Sequence, residues 1–471
     1  MAIIVSQVDA PLKTTREEII AAACWKIGVL QKDVLSSEIH KTSVDARKQN
    51  AIKFVSSVYL KLKSEEQEQK ICEKRSDCSP VKEEKLAPKF GTKKLSKPIV
   101  IAGFGPAGMF AALTLAEYGY KPIVFERGEN VDERVKKVSN FWENGVLDPS
   151  TNVQFGEGGA GTFSDGKLTT RIKDPLCGHV LEKLVEFGAP AEILTKSKPH
   201  IGTDNLRLIV KSIRQKVTEL GGEIHFNSPI TGLKLENGRL SEINVSGNSI
   251  EAENLILSIG HSARDTFEML LKSGVKLEAK PFSVGARIEH TQEAVDRSLY
   301  GKYFDNPLLP RGEYQLSHRF GERCAYTFCM CPGGVVVPSA SEEFGVVTNG
   351  MSEFSRDGKN ANSALAVSVS PSDFGDEPLA GVEFCRKIEQ KAYVAAGKNY
   401  KAPAASVGSF MDGGASLENI GVTPSYSLGV TAVNFDDIFP DFVTKAMRMG
   451  LRYFSGNMSC FGDKSAVLTA P

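Results

Sequence analysis

Nowhere does the chain run for about eighteen apolar residues, the length a membrane-crossing helix needs, so no such helix is expected. Its opening, MAIIVSQVDAPLKTTREE, lacks a basic stretch followed by a long apolar core and is not expected to act as a signal peptide. Neither charge sign is in excess: 57 Lys and Arg balance 57 Asp and Glu. With no whole-protein field, neither a membrane nor nucleic acid is the expected partner. Residues 1–95 hold only a small basic surplus, 18 Lys and Arg against 13 Asp and Glu. Cysteine is sparse, scattered and odd in number, nine in all with no CxxC pair. That argues against a disulfide framework and fits a reducing cytosol, so a cytoplasmic location is expected. The seven histidines do not fall beside cysteines at zinc spacing, and no metal site is expected.

What is present has the length and composition of two or three well-packed domains. Residues 2–8 read as an apolar strand. A helix follows from about Thr15, with Glu17 and Glu18 in its first turn, and strand-like runs cover Val34–Ser43 and Ile52–Leu62. This predicts a small β-α-β-β module over 1–63. Residues 64–96 are polar and charged and read as an exposed linker carrying Cys72 and Cys78 as solvent-facing thiols. From Lys97 helical and strand-like runs alternate to about residue 275, the pattern of an α/β core with a parallel sheet. Residues 276–410 are richer in strands (FSVGARIEH, CAYTFCMC, LAVSVS), which suggests an inserted, mainly antiparallel β domain; a helix is expected over 436–455.

The strongest local signal is Gly103-Phe104-Gly105-Pro106-Ala107-Gly108, between an apolar strand and a helical run. In such a turn Gly103 permits the sharp reversal, Gly105 lets a diphosphate approach the backbone, and Gly108 allows close helix–strand packing. The helix start offers unbonded N–H groups to the phosphates. A second strand ends at Glu126, where a carboxylate accepts hydrogen bonds from ribose hydroxyls. This makes 97–275 a Rossmann-like dinucleotide-binding core. The choice between NAD and FAD turns on Val153–Arg171, a second glycine-dense loop. Gly156, Gly158, Gly159 and Gly161 bring backbone close to a flat ring system, and Ser164, Asp165 and Lys167 add polar groups. An NAD dehydrogenase has no need of such a loop, so FAD is the expected cofactor. The strand Asn254–Gly260, followed by His261, returns the chain toward it.

On the segments SVDARKQNAIKFV, GFGPAGMFAALTLAEYG, FGEGGAGTFSDGKLTTR, KPFSVGARIEH, YTFCMCPGGVVV and NGMSEFSRDGKNANSALAVSV, the chain resembles a bacterial family of two-domain FAD-dependent dehydrogenases, or NAD(P)/FAD-dependent oxidoreductases. The resemblance implies FAD held by Gly103, Gly105, Gly108, Glu126, Arg127 and the loop 156–167, and no particular substrate. It also implies a further glycine-rich segment beyond Pro471 that packs on the flavin.

The flavin itself carries the redox chemistry, and the protein supplies orientation and charge. Lys167 either stabilises negative charge on a reduced ring or reaches a phosphate or solvent. Arg127 covers the adenine or is a surface charge. In a regular strand Cys329 and Cys331 share a face, as a redox pair near the flavin or as core filler. His261 and Gly260 sit at a strand end near the expected ring. Arg287 and His290 fall on opposite faces of one strand, and Arg287 is the candidate for a small-molecule substrate pocket in the 276–471 part. No second GxGxxG has a strand–helix context, so NAD(P)H enters only as a transient electron donor. The expected function is a flavin oxidoreductase acting on a small organic substrate. The alternatives are a flavin-dependent RNA-modification protein, its basic N-terminal end touching RNA, and a non-catalytic flavin-binding protein.

Overall fold

The computed structural model describes residues 2–81, 88–92, 94–170, 172 and 174–471. The chain groups into two compact units, one of residues 1–92, 167–201 and 296–312, the other of 93–166, 202–295 and 313–471.

In the first unit β1 (Ile3–Pro11), α1 (Arg16–Ile27), β2 (Val34–Asp45) and β3 (Lys53–Leu62) run strand, helix, strand, strand. Thr15 opens α1 with a capping box, its hydroxyl accepting from the Glu18 N–H while Glu18 accepts from the Thr15 N–H at 2.8 Å. The segment expected to be an exposed linker is instead partly folded. It forms α2 (Glu65–Lys74), capped by Ser64, and β4 (Cys78–Pro80), which pairs with β1 to complete the sheet order β2-β3-β1-β4. Composition misled here because two local devices outweigh polarity. Glu68, fully buried, accepts the Leu62 N–H at 2.6 Å, and Ile71 and Cys72 pack on the apolar core. Cys78 is buried, not solvent-facing. Residues 82–87 and Lys93 of that segment lie outside the described residues, as do Arg171 and Lys173. The unit also takes in the helix Leu176–Glu186, and Thr42 of β2 exchanges backbone hydrogen bonds with Thr195 and Ser197.

In the second unit β5 (Val100–Ala102) leads through the glycine turn into α3 (Pro106–Glu117) and then β6 (Ile123–Phe125). Helices α4 (Val131–Asn144) and α5 (Thr203–Glu219) precede β7 (Glu223–His225). A small antiparallel sheet of β8 (Ile230–Glu236), β9 (Arg239–Val245) and β10 (Asn248–Glu251) comes next. The chain then returns as β11 (Leu255–Leu257), so that four parallel strands lie in the order β11-β5-β6-β7. Val100, Ile101 and Ala102 are all buried, which is why this strand reads as a continuous apolar run.

After α6 (Arg264–Lys272) comes a long antiparallel region: β12 (Phe282–Thr291), β13 (Ser317–Phe320), β14 (Arg323–Cys331), β15 (Val335–Pro338), β16 (Thr348–Met351), β17 (Asn360–Val369), β18 (Ala402–Ser406), β19 (Val430–Ala432) and β20 (Val467–Thr469). Seven of these form one sheet, ordered β13-β14-β17-β12-β20-β18-β19, with only β18 and β19 parallel; β15 and β16 pair separately. Helix α7 (Ala380–Ala395) precedes β18, and α8 (Asp441–Ser455) lays a buried stripe of Val443, Met447, Gly450, Leu451 and Phe454 toward the sheet. A Cβ on Gly450 would lie 2.8 Å from that of Ala325, so the helix approaches β14 as closely as a glycine permits.

Candidate functional site

Strand β5 is where the parallel sheet changes direction: the chain moves from it to β6 on one side and later returns to β11 on the other. Such a switch point leaves a crevice at the carboxyl ends of the strands. Here the crevice is a cleft of about 590 Å3. Its walls are the turn after β5, the end of β6, the loop 154–161 and the segment 257–262 after β11.

The three glycines of the turn do different jobs. Gly103 has φ +92°, and a Cβ there would lie 2.5 Å from the Ser258 carbonyl oxygen. A Cβ on Gly108 would run into the Gly103 carbonyl oxygen. Both are therefore demanded by the fold. Gly105 is not: a Cβ there meets only Gly159, at an ordinary 3.6 Å. The room it leaves opens into the cleft. Gly105 is also the N-cap of α3 and offers no side-chain cap, while Pro106 occupies the first helical turn. The first N–H groups of a helix have no partner within it, so this terminus presents unsatisfied donors and a partial positive charge to the cleft.

Glu126, 5% exposed, closes the end of β6. Its Oε2 accepts the Phe104 N–H at 2.7 Å, and its Oε1 accepts those of Gly128 at 2.9 Å and Gly156 at 3.0 Å. A carboxylate has about four acceptor positions, so one remains for a ligand hydroxyl. Arg127 lies 4.3 Å over the Phe155 ring and is tied to Asp265 at 2.7 Å and to the Thr266 hydroxyl at 3.0 Å. It is a fixed wall, not a mobile surface charge.

Sequence reasoning missed the residues that hold the second glycine-rich loop in shape. Arg134 is fully buried and donates to the carbonyls of Asn152, Val153, Gly156 and Glu157 at 2.6–3.2 Å. Burial pulls its guanidinium down to about 9, which leaves it charged at neutral pH. Glu157, also fully buried, accepts from the Val131 N–H at 2.7 Å and from Arg214 at 2.8 Å, and burial raises its carboxyl. The available signal was periodicity. Val131, Arg134, Val138 and Phe141 form the buried face of α4, so an arginine sits in an apolar stripe.

The cleft brings together Gly103, Gly105, Pro106, Ala107, Glu126, Arg127, Gly159, Gly161, Gly260 and His261. Gly108 lies behind the turn, Gly158 packs on Thr162, and the Ser164 hydroxyl bonds to its own loop at Gly161. Asp165 is buried in an ion pair with Arg356 and accepts the Ser352 hydroxyl. Lys167 belongs to the first unit, where its backbone bridges to His200. Cys329, Cys331 and Arg287 lie on the seven-stranded sheet and do not line the cleft. The two cysteines are thiols, not a disulfide. The regular alternation expected to set them on one face is broken by a register shift between Phe328 and Cys331, with Cys329 at φ +47°. Among the described residues no helix is long and apolar enough to cross a membrane.

Residues 281–471 match a family model described as FAD-dependent protein, C-terminal domain-like. An uncharacterized protein of Clostridium beijerinckii is 46% identical over 473 residues, spanning all of this chain and 89% of its own length. Among solved structures, an L-amino acid deaminase from Proteus vulgaris is 10% identical with a TM-score of 0.29, over 65% of this chain and 78% of that one. Thermovibrio ammonificans THI4 is 18% identical with a TM-score of 0.27, over 38% of this chain and 64% of that one. CtdE in complex with FAD is 16% identical with a TM-score of 0.27, over 58% of this chain and 59% of that one.

Proposed function

We propose, from the likeness of residues 281–471 to a family of FAD-dependent proteins, that the chain is a flavin oxidoreductase whose FAD occupies the cleft at the ends of β5, β6 and β11. The observation that carries this reading is the uncapped start of α3, which opens on the cleft beside a glycine that the fold itself does not require. Those donors suit a diphosphate. The acceptor position left on Glu126 suits an adenosine ribose, and Arg127 stacked on Phe155 forms a flat wall for the adenine end. At about 590 Å3 the cleft falls within the roughly 300–1,000 Å3 of ordinary ligand sites.

Bound FAD supplies hydride or electron transfer to or from a small organic substrate. The chain's own work is positioning. Arg134 and the Glu157–Arg214 pair keep the loop 152–161 closed on itself, which fixes Gly159 and Gly161 at the cleft wall. Gly260 and His261 border the same cleft after β11. Lys167 is not among the cleft residues, and this reading gives it no part in FAD binding.

The test is direct. The purified protein is expected to be yellow, to release FAD on acid denaturation, and to bleach with NAD(P)H or another two-electron donor in the absence of oxygen. A colourless protein that also fails to take up FAD at micromolar concentration overturns the reading.

A further inference from the structure

A second cavity, of about 370 Å3, lies over one face of the seven-stranded sheet. Register defines that face. Gly285 pairs with Ala366 and Arg287 with Ala364 across β12 and β17, while Tyr326 and Phe328 of β14 pair with the same two alanines. Directly paired residues share a face. Gly285, Ala364 and Ala366 therefore make a floor without large side chains, from which Arg287, Tyr326 and Phe328 rise. The opposite face, with Ala325 and Leu365, is covered by α8 at Gly450. Ile388 and Cys385 of α7 close one side, and Phe328, 64% exposed, stands at the edge.

Arg287 is only 4% exposed. Its Nε donates to Asn362 Oδ1 at 2.7 Å and its Nη2 to the Cys329 carbonyl at 2.8 Å. Both acceptors are neutral. The bulge at Cys329, at φ +47°, turns that carbonyl toward the guanidinium. Among the described residues no carboxylate pairs with Arg287, and its Nη1 has no protein partner. Glu289, two residues along, feels the Arg287 charge but makes no contact ion pair with it, and accepts instead from Ser425 and Asn360. Glu389, the one acid lining the cavity, is held by both terminal nitrogens of Arg264 at 2.6 and 2.9 Å. A buried cation with no contact ion pair is costly, and this one is hydrogen-bonded only to neutral groups at the border of a largely apolar cavity.

We propose that this cavity binds a small carboxylate-bearing molecule, with Arg287 taking the carboxylate and Ile388, Tyr326 and Phe328 its apolar body. The single cation in an apolar wall suits a monoanion better than a strongly hydrated phosphate. Arg264, which follows His261 and Ser262 of the first cleft in sequence, grips Glu389 of this cavity. As the substrate pocket of the redox reaction the cavity rests on the flavin reading; as a carboxylate site it does not.

Calorimetric titration of the full chain with phenylacetate, phenylacetamide and inorganic phosphate tests this. Phenylacetate alone is expected to bind. Arg287→Gln should weaken it by about tenfold or more, and Ala364→Leu, which fills the floor, should abolish it. Absence of phenylacetate binding at roughly 10 mM, equal binding of phenylacetamide, tighter binding of phosphate, or undiminished affinity in Arg287→Gln overturns the proposal. Should Arg287→Gln fail to fold, Ala364→Leu decides, since retained binding there overturns it. A colourless protein that takes up no FAD but binds phenylacetate ends the flavin reading and keeps the carboxylate site; a yellow protein indifferent to phenylacetate does the reverse.

Discussion

The cleft beside β5 and the cavity over the seven-stranded sheet are built from different materials. The cleft offers backbone: the uncapped N–H groups of α3, glycine turns, and a carboxylate already gripped by three amides. The cavity offers side chains on a floor of glycine and alanine, with one arginine as its cation. Backbone recognition needs chain to come close to ligand and to chain, so it demands glycines at fixed spacing and leaves a local trace in sequence. Side-chain recognition across β12, β14 and β17 depends on register between residues about forty to eighty positions apart, and it leaves none.

The sharpest way to break that contrast is to remove a side chain on which the backbone site depends. Arg134→Ala would remove a donor shared by four buried carbonyls, of which those of Gly156 and Glu157 keep a second partner in the Gly159 N–H and the Thr162 hydroxyl, at a cost of about 3–5 kcal/mol. Urea denaturation is expected to show a loss of that size together with loss of FAD. Unchanged stability would mean that the loop 152–157 holds its shape unaided. The glycines of the turn then separate fold from ligand. Gly108→Ala drives a Cβ into the Gly103 carbonyl and should cost about 2–3 kcal/mol of stability. Gly105→Ala meets no obstacle in the protein. It should keep its melting temperature while FAD affinity falls about tenfold. Equal FAD affinity in Gly105→Ala and the parent would remove the diphosphate from that position. Glu126→Gln is the intermediate case. The amide offers a single acceptor oxygen to three N–H groups, so a loss of about 1–3 kcal/mol is expected, read by denaturation and by FAD titration.

Legibility followed the same division. The glycine turn, the cap at Thr15 and the acid ending β6 were readable because each acts within a few residues of its own backbone. The segment after Leu62 was misread because its helix depends on Ser64 as a cap and on Glu68 reaching back to the Leu62 N–H, two hydrogen bonds that composition does not register. Arg134 was visible as a charge in an apolar stripe, but its four carbonyl partners follow it by 18 to 23 residues. The pairing of Cys329 and Cys331 on one face assumed a regular strand, and a bulge is set by the partner strand. Arg287 could be singled out on β12 as a charge in a strand, but its acceptors lie 42 and 75 residues away and could not be read from sequence.

The smallest expected effect bears on what Cys329 contributes to the side-chain site. The Arg287 guanidinium meets the Cys329 carbonyl oxygen, and that oxygen is aimed by the positive φ of a bulge, not by sulfur. Serine keeps the backbone and removes the thiol. Cys329→Ser should therefore bind phenylacetate within about twofold of the parent and unfold within about 0.5 kcal/mol of it. Proline at 329 cannot adopt a positive φ and would turn the carbonyl away, so Cys329→Pro should lose the carboxylate site while the cleft beside β5 keeps its FAD. If instead the serine variant loses phenylacetate binding, the sulfur is part of the site, and the cavity is recognised through its thiols as well as its one cation.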